Sequence, residues 1–365
     1  MSDTSITNVS RALDSVPIGA FHRRLLGICG AAWAFDGMEV ILISFTLTVF
    51  TGVWNLSGLS AGLLGSASLM GMVVGNWAWG SYADRYGRKR AFQATVLTYA
   101  VFTGLTALAW GFGSAFVLRF LTGVGLGGAL AVDTTYLAEH LPSDVRGRYL
   151  VYLDAFWPLG NALAVVLAWI FLGAMGDAVS LPVVGTVAGW RLLFVAAAFP
   201  ALTVFIIRAG LSETPYYLAR TGQIEAANDR LRAIARESGG DYEPIEATDV
   251  ERRGSASVRD LFAAGVRART AMIFAALLAA SFFTLGAWGA IYAYTPELFP
   301  THLRATGNGF AGGVGKIAAV LGPILAGALV STGYLAALAP LAVAFALGGL
   351  VVLGFGVETL GEPLR

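Results

Sequence analysis

The sequence is poor in cysteine and in charge. Its single cysteine, Cys29, lies within an apolar run, which excludes a disulfide framework. Only 13% of its 365 residues are charged, about half the share of an ordinary soluble domain. The formal net charge of +1 argues against a nucleic-acid partner. Hydrophobic residues make up 56% of the chain and the mean hydropathy is +0.69, so we expect an all-α membrane protein.

Apolar runs of about 20 residues, each long enough to cross a bilayer core, recur along the chain. The predicted spans are 25–51, 59–82, 91–112, 115–138, 149–173, 190–208, 270–298, 306–330 and 334–357. Residues 1–20 are polar and contain no apolar run, which predicts that no signal peptide is cleaved and that the first span directs insertion. Because nine is an odd number, nine spans would place the C-terminus on the side of the membrane opposite the N-terminus, outside the cell. Residues 270–298 would cover about 44 Å as one helix, too little for two full crossings.

The basic residues of the connectors predict the orientation of the chain. They follow the even-numbered spans and are Arg85, Arg88, Lys89, Arg90, Arg146, Arg148, Arg208 and Arg220. The connectors 52–58, 111–114 and 174–189 contain no Lys or Arg. Since Lys and Arg resist translocation, we expect the N-terminus and the even-side connectors in the cytoplasm. The chain is thus predicted to be a multi-pass protein of the cytoplasmic (inner) membrane, surrounded by the lipid bilayer.

Residues 211–265 form the only section with the composition of a soluble segment, and we expect a cytoplasmic linker there. Residues 225–236 follow a helical periodicity. The apolar positions on one side of that helix are Ile224, Leu231 and Ile234. Gly239 is expected to end the helix, and 257–260 is typical of the start of another short one.

The connector after the second span carries the most specific motif. It reads Gly80-Ser-Tyr-Ala-Asp84-Arg85-Tyr-Gly87-Arg88-Lys89-Arg90. We expect its glycines to permit a tight turn, Asp84 to cap the following helix and the arginines to bridge helix ends. The alternative interpretation is a basic connector that merely stops translocation, which would explain the positive charges but not the positions of the glycines and of Asp84. The spacing resembles the signature loop between helices 2 and 3 of major facilitator superfamily transporters.

Further motifs resemble the same superfamily. They are Arg119-Phe-Leu-Thr-Gly123-Val-Gly125-Leu-Gly127-Gly128, Tyr136-Leu-Ala-Glu139 with Arg146-Gly147-Arg148, Ser212-Glu213-Thr-Pro215, Tyr294-Thr-Pro-Glu297 through Arg304, and Phe35-Asp36-Gly37-Met-Glu39. The last is similar to the first helix of metabolite:proton and aromatic-acid:proton symporters, which belong to the sugar-porter-like branch that includes relatives of synaptic vesicle glycoprotein 2. The resemblance implies a gating motif made of Gly80, Asp84, Arg85, Gly87, Arg88, Lys89, Glu139, Arg146, Glu213, Glu297 and Arg304.

The resemblance also implies a major-facilitator-like bundle of two six-helix halves around a cavity that opens alternately to each side. We expect a cytoplasmic N-terminus (1–24), a complete N-terminal half (25–210), the linker (211–265) and a shortened C-terminal half (266–365). Helices 7 to 9 of the family would be collapsed into 265–290.

Ionisable side chains within spans are costly and point to function. Asp36 and Glu39 lie near the middle of the first span and share a helix face, where a low dielectric favours a protonated carboxyl. Asp133 and Asp154 flank the fourth connector at one depth. We consider all four as proton-coupling residues. The alternatives are a structural pair bonded to Ser or Thr for the first two, and pairing with arginines such as Arg146 for the others.

Because span 4 faces span 1 across the cavity in the family, the resemblance implies that Arg119 meets Glu39 and Asp36 and can also meet an anionic substrate. The alternative is a purely structural ion pair. Lys316 is too deep in its span to reach the surface easily, and we expect it either to neutralise a carboxylate or to bind an acid substrate. The other candidate substrate-binding residues, which equally suit plain packing, are Trp157, Asn161, Trp288 and Tyr292. The spacing Gly123-x-x-x-Gly127 favours close helix packing.

The sequence predicts a secondary active transporter of a small organic solute, such as an organic acid or a sugar-like metabolite, with protons as the coupling ion. It has no ATP-binding motif, metal cluster or catalytic triad, so neither an enzyme nor a cofactor nor a metal is expected. A monomer is expected, and a dimer that supplies missing helices is the alternative. A drug/proton antiporter and a non-transporting, internally deleted family member are the competing functions.

Overall fold

Long apolar helices dominate the part of the chain that the structure describes. This computed structural model describes residues 4–174, 178–181, 185–199, 210–246, 266–272, 298–299, 306–307, 310–311, 314–315 and 334–356. Within them, four helical segments are long and apolar enough to cross a membrane: Ala20–Val53, Gly58–Tyr86, Phe112–Ala138 and Ser143–Ala174.

The helices of the N-terminal half follow the predicted spans. They are α1 (Thr4–Asp14), α2 (Ala20–Val53), α3 (Gly58–Tyr86), α4 (Arg88–Thr106), α5 (Phe112–Gly128), α6 (Thr134–Ala138), α7 (Ser143–Asp154), α8 (Trp157–Ala168) and α9 (Gly189–Ala197). A π-helical turn, Ala129–Asp133, joins α5 to α6, and a second one, Trp169–Ala174, extends α8. The fifth span is interrupted between α7 and α8, where Pro158 occupies the first turn of the new helix.

The connector before α9 is a small departure from the purely helical expectation. Strands β1 (Ala178–Leu181) and β2 (Gly185–Ala188) pair antiparallel, with Ala178 opposite Ala188. The hairpin covers residues that the sequence analysis treated as a plain loop. Beyond α9, the described helices with assigned bounds are α10 (Pro215–Arg220), α11 (Ile224–Ser238) and α12 (Tyr334–Phe355).

Glycines allow α3 and α5 to approach each other closely. A side chain at Gly71 or Gly75 would overlap the backbone carbonyls of Phe120 or Val124. A side chain at Gly123 of α5 would in the same way overlap the backbone carbonyl of Ser68 in α3. The predicted role of the Gly123-x-x-x-Gly127 spacing in helix packing is therefore confirmed.

A second layer of helices covers the ends of the spans that we predict to be cytoplasmic. Helix α11 begins at Ile224 and buries Leu231 and Ile234, as its periodicity predicted. It ends at Gly239, which adopts a left-handed conformation with φ of 77°. An ion pair of 3.0 Å between Arg24 and Glu237 connects α11 to the base of α2.

Candidate functional site

Arg88 organises a buried charge cluster at the motif connector. Its Nε atom lies 3.1 Å from Oε2 of Glu139, and its Nη2 atom lies 2.9 Å from Oδ1 of Asp84. The hydroxyl of Thr214 donates a 2.6 Å hydrogen bond to the same Glu139 carboxylate. Three elements distant in sequence, the α3–α4 connector, the end of α6 and the segment before α10, are therefore joined at the Glu139 carboxylate.

The start of α4 is capped by Glu213 and not by Asp84, so the predicted cap was wrong. Glu213 Oε1 accepts hydrogen bonds from the backbone N–H of Arg88 (2.9 Å), 125 residues away, and from that of Lys89 (3.3 Å). The side chain of Asp84 provides no cap. Burial raises the pKa of Glu213, while the N–H donors of Thr214 and Arg88 oppose that shift because they stabilise the carboxylate.

Asp84 instead contacts the second half of the chain. Its Oδ2 atom accepts hydrogen bonds from the backbone N–H (3.0 Å) and the hydroxyl (2.6 Å) of Thr306. Close by in sequence, the Trp77 indole donates to the carbonyl of Phe310 (3.2 Å), and the two rings stack with centroids 5.2 Å apart. The two halves are therefore joined at this end of α3.

The structure describes most of the other proposed gating residues. The carbonyl of Arg85 accepts from the Tyr217 hydroxyl at 3.0 Å, and Arg146 donates to the carbonyls of Ala138 and Leu141. Gly80 is buried. Gly87 has φ of 102°, and a Cβ there would overlap the Glu213 carboxylate. Glu297 and Arg304 lie outside the described residues.

Glu39 and Arg119 form an ion pair inside the N-terminal half, and both are fully buried. The Nη1 atom of Arg119 lies 3.3 Å from Oε2 of Glu39, and its Nη2 atom donates to the Glu39 carbonyl at 3.2 Å. Thr103 of α4 donates to Oε2 at 2.8 Å. The other carboxylate oxygen, Oε1, has no hydrogen-bond partner. The arrangement leaves Glu39 one oxygen that can accept a proton.

The three remaining acidic candidates lie elsewhere in this half. Asp36 and Asp133 are almost fully buried, and the Tyr99 side chain lies beside Asp36. Asp154 is more exposed and interacts with Trp33. The depth argument had paired Asp133 with Asp154, and the two differ in burial, because Asp133 is almost fully buried and Asp154 is partly exposed.

The sequence analysis missed Tyr99 and Thr103. A signal for them exists, because Thr95, Tyr99, Thr103 and Thr106 form a polar stripe along α4 and all four are buried. Polar groups repeated on one helix face within a span indicate that this face lines a polar interior.

Of the candidate substrate-binding residues, Trp157 and Asn161 begin α8 and are partly buried. The Trp157 ring contacts Trp33 with centroids 5.8 Å apart. Trp288, Tyr292 and Lys316 lie outside the described residues. Among the described residues there is no group of three or more His, Cys, Asp or Glu that could hold a metal ion.

Known proteins resemble the chain over most of its length. The niacin transporter NiaP of Acinetobacter baylyi is 27% identical over 404 aligned residues, which cover 87% of this chain and 89% of that protein. The putative niacin/nicotinamide transporter NiaP of Bacillus subtilis is 28% identical, covering 84% of this chain and 88% of its own length. The synaptic vesicle 2-related protein of Bos taurus is 30% identical over 73% of this chain but 46% of its own length.

Among solved structures, the proton:xylose symporter XylE bound to 6-bromo-6-deoxy-D-glucose superposes with a TM-score of 0.73 at 18% identity. The match covers 94% of this chain and 98% of that one. The fold is therefore that of a major facilitator superfamily transporter, as the motifs predicted. The model of the sugar (and other) transporter family matches residues 43–273 and 263–365, so the chain belongs to that family. It is a membrane protein of a family of secondary transporters of small organic solutes, and it is not an enzyme.

Proposed function

We propose that the chain is a symporter that moves a small organic acid together with protons across the cytoplasmic membrane. The observation that carries the proposal is the fully buried ion pair between Glu39 and Arg119. An ion pair in an apolar interior is costly, and it persists in membrane spans chiefly where it serves function.

The pair provides a physical link between a proton and an anion. Protonation of Glu39 at its unpartnered Oε1 removes the charge that holds Arg119. The freed guanidinium then favours another anion, and a planar carboxylate matches its two parallel N–H donors. Proton and acid substrate are therefore bound together, which is the requirement for symport.

The similarity to proteins named as niacin transporters supports an organic acid as the substrate, because niacin is an aromatic carboxylic acid. Trp157 would provide an aromatic wall and Asn161 a hydrogen-bonding group, both at the start of α8. A drug/proton antiporter would need a cation-binding interior, and Arg119 does not favour that class.

The contacts between the halves support alternating access. Asp84 with Thr306 and Trp77 with Phe310 close one end of the bundle, which we assign to the cytoplasmic side with the N-terminus. In a background of Cys29→Ala, the chain with Tyr86→Cys would resist an impermeant thiol reagent in intact cells and react after permeabilisation. Labelling in intact cells would reverse this orientation.

The proposal is tested by uptake of radiolabelled niacin into proteoliposomes that contain the purified full chain. An inward proton gradient is expected to drive accumulation, and dissipation of the gradient with an ionophore is expected to abolish it. Glu39→Gln is expected to lose the accumulation, whereas Glu225→Gln, at an exposed position of α11, is expected to retain it. Equal uptake with and without the gradient would contradict proton coupling.

The second candidate, a non-transporting member with an internal deletion, is favoured by one observation. The alignment with the Acinetobacter protein runs over 404 residues, more than the 365 of this chain, so that relative contains material that this chain lacks. Absence of binding of radiolabelled niacin, of other aromatic acids and of hexoses to the intact purified protein would favour this function.

A further inference from the structure

A cavity of about 390 Å³ lies where the end of α2 meets the start of α9, at the end of the bundle opposite the motif connector. Its larger apolar lining residues are Val49, Val53, Phe171, Leu172 and Trp190. Thr48 adds one hydroxyl. The volume is in the range of ligand sites, and the lining suits an apolar group. Val53 is 57% exposed, so the cavity reaches the surface of the bundle.

The Trp190 wall of the cavity is held in place by other aromatic rings. Phe50 of α2 meets Trp190 edge-on with centroids 5.0 Å apart, and Trp54 meets it at 5.8 Å. Phe194, one helical turn further along α9, lies 6.4 Å from it. Because Trp190 is packed on these rings, its wall of the cavity is formed before any ligand binds. Tryptophan at the end of a span is typical of the border between lipid tails and water.

Arg191 places a positive charge beside this wall. Its guanidinium lies over the Trp190 ring, 4.3 Å from the centroid. Its Nη1 and Nη2 atoms donate to the carbonyls of Ala107 and Ala109 at the end of α4, the latter at 3.0 Å. A helix C-terminus compensates only about half of a unit charge. Within the part of the chain that the structure describes, Arg191 forms no ion pair.

The position of Arg191 in the sequence is unusual for this end of the bundle. The connectors 52–58, 111–114 and 174–189, which we assign to the outer side, contain no Lys or Arg, and Arg191 follows the last of them by two residues. A basic residue on that side departs from the usual distribution of charge in membrane proteins. Arg191 is therefore an outer-side cation without a carboxylate partner among the described residues, next to an apolar cavity.

We propose that this end of the bundle binds one anionic phospholipid of the outer leaflet, with an acyl chain in the cavity and the headgroup phosphate against Arg191. The guanidinium and the cavity have Trp190 in common, so a molecule that contacts both must join a negative charge to a flexible apolar chain. A phospholipid has this structure, whereas a small aromatic acid lacks the chain. The inference goes beyond the proposed function, because binding of the lipid does not depend on transport of niacin.

The role of Arg191 is tested by native mass spectrometry of the purified full-length protein titrated with phosphatidylglycerol or with the neutral headgroup of phosphatidylcholine. Wild type is expected to bind phosphatidylglycerol roughly fivefold more tightly, the effect of one arginine near a lipid phosphate. Arg191→Gln is expected to lose this preference, whereas Arg191→Lys keeps the charge and is expected to retain it. Equal affinities for the two lipids in wild type would overturn the contact with Arg191.

The role of the cavity is tested by filling it. Gly52 lines the cavity and an added Cβ there meets no atom within 4 Å, so Gly52→Phe is expected to occupy the space without disturbing the fold. The Kd for phosphatidylglycerol is expected to rise at least about tenfold, because the chain loses its apolar site. Gly62→Phe is the matched control, since Gly62 is equally open but does not line the cavity. Val53→Asn makes the wall polar at similar volume and serves where Gly52→Phe fails to fold.

Unchanged affinity in the cavity variants would overturn the site. Displacement of phosphatidylglycerol by niacin would assign the cavity to an aromatic acid and overturn the lipid. Occupancy by detergent that phospholipid does not displace would show an adventitious additive only, which also contradicts the proposal. None of these measurements requires transport, so they remain decisive where niacin is not transported and the proposed function fails.

Discussion

The Asp84 carboxylate accepts two hydrogen bonds from Thr306, which lies 222 residues further along the chain. One comes from the backbone N–H of Thr306 and the other from its hydroxyl. The same carboxylate pairs with Arg88, which in turn binds Glu139. The contact between the halves is thus continuous with the charge cluster of the motif connector. In the proposed transport cycle, opening of this end of the bundle would break the Asp84–Thr306 contact.

Thr306→Val is expected to favour the conformation that is open at this end. The change removes one of the two hydrogen bonds to Asp84. A hydrogen bond to a charged group contributes about 1.5–3 kcal/mol, which corresponds to roughly a tenfold or larger change in the ratio of closed to open forms. The measurement is the distance between spin labels introduced by Arg90→Cys and Ala268→Cys in a Cys29→Ala background. Thr221→Val, at the exposed surface of the linker, is the control, and equal distance distributions in all three proteins would contradict the role of Thr306.

Gly87→Ala is expected to destabilise the fold by about 1–3 kcal/mol, because its positive φ strains any L-residue and its Cβ would overlap Glu213. Gly147→Ala is the matched control, since a Cβ at Gly147 meets no atom within 4 Å. Thermal unfolding in detergent measures both. A Gly87→Ala protein as stable as the control would show that the turn does not need glycine.

Gly71→Ala is expected to lower the yield of folded protein, because the added methyl group meets the carbonyl of Phe120 where α3 and α5 touch. Overpacking of this kind costs about 1–3 kcal/mol. Gly62 lies on the same helix in open space, so Gly62→Ala should have little effect. The two are compared by size-exclusion chromatography of a fluorescent fusion, and indistinguishable profiles would contradict the close helix contact.

His140 is expected to make stability fall as the pH is lowered. Burial, together with the positive charge of Arg230, lowers the pKa of His140 from 6.5 to about 3. Below pH 6.5 the unfolded chain therefore binds a proton that the folded chain does not, and this contribution to stability is lost at about 1.4 kcal/mol per pH unit until the pH approaches 3.

The unfolding temperature of wild type and His140→Asn between pH 8 and pH 5 measures this contribution. The variant is expected to show the shallower decline. Parallel curves would mean that His140 is protonated equally in both states.

The first two spans were predictable because a bilayer imposes a length and a hydropathy on each helix, as α2 and α3 show. The sequence predicted the Glu39–Arg119 contact only with help from the family resemblance, since nothing local in the first span points to the fourth. The polar stripe that contains Tyr99 and Thr103 was readable but was overlooked.

The surroundings of Asp84 and Asp133 could not be predicted for two physical reasons. Glu213 competes for the N-terminus of α4 from 125 residues away, which leaves Asp84 free to bind Thr306. The π-helical turn Ala129–Asp133 inserts an extra residue into its helix and rotates the residues near it, which an argument from equal depth does not include.

The most direct test of the central claim separates proton coupling from substrate movement in one variant. Proteoliposomes with wild type or Glu39→Gln are assayed for niacin accumulation under a proton gradient and for exchange of labelled against unlabelled niacin at equal pH. Wild type is expected to show both accumulation and exchange. Because Glu39 would link the proton to Arg119, Glu39→Gln is expected to lose accumulation and to keep exchange. Accumulation by Glu39→Gln at the wild-type level would contradict the account.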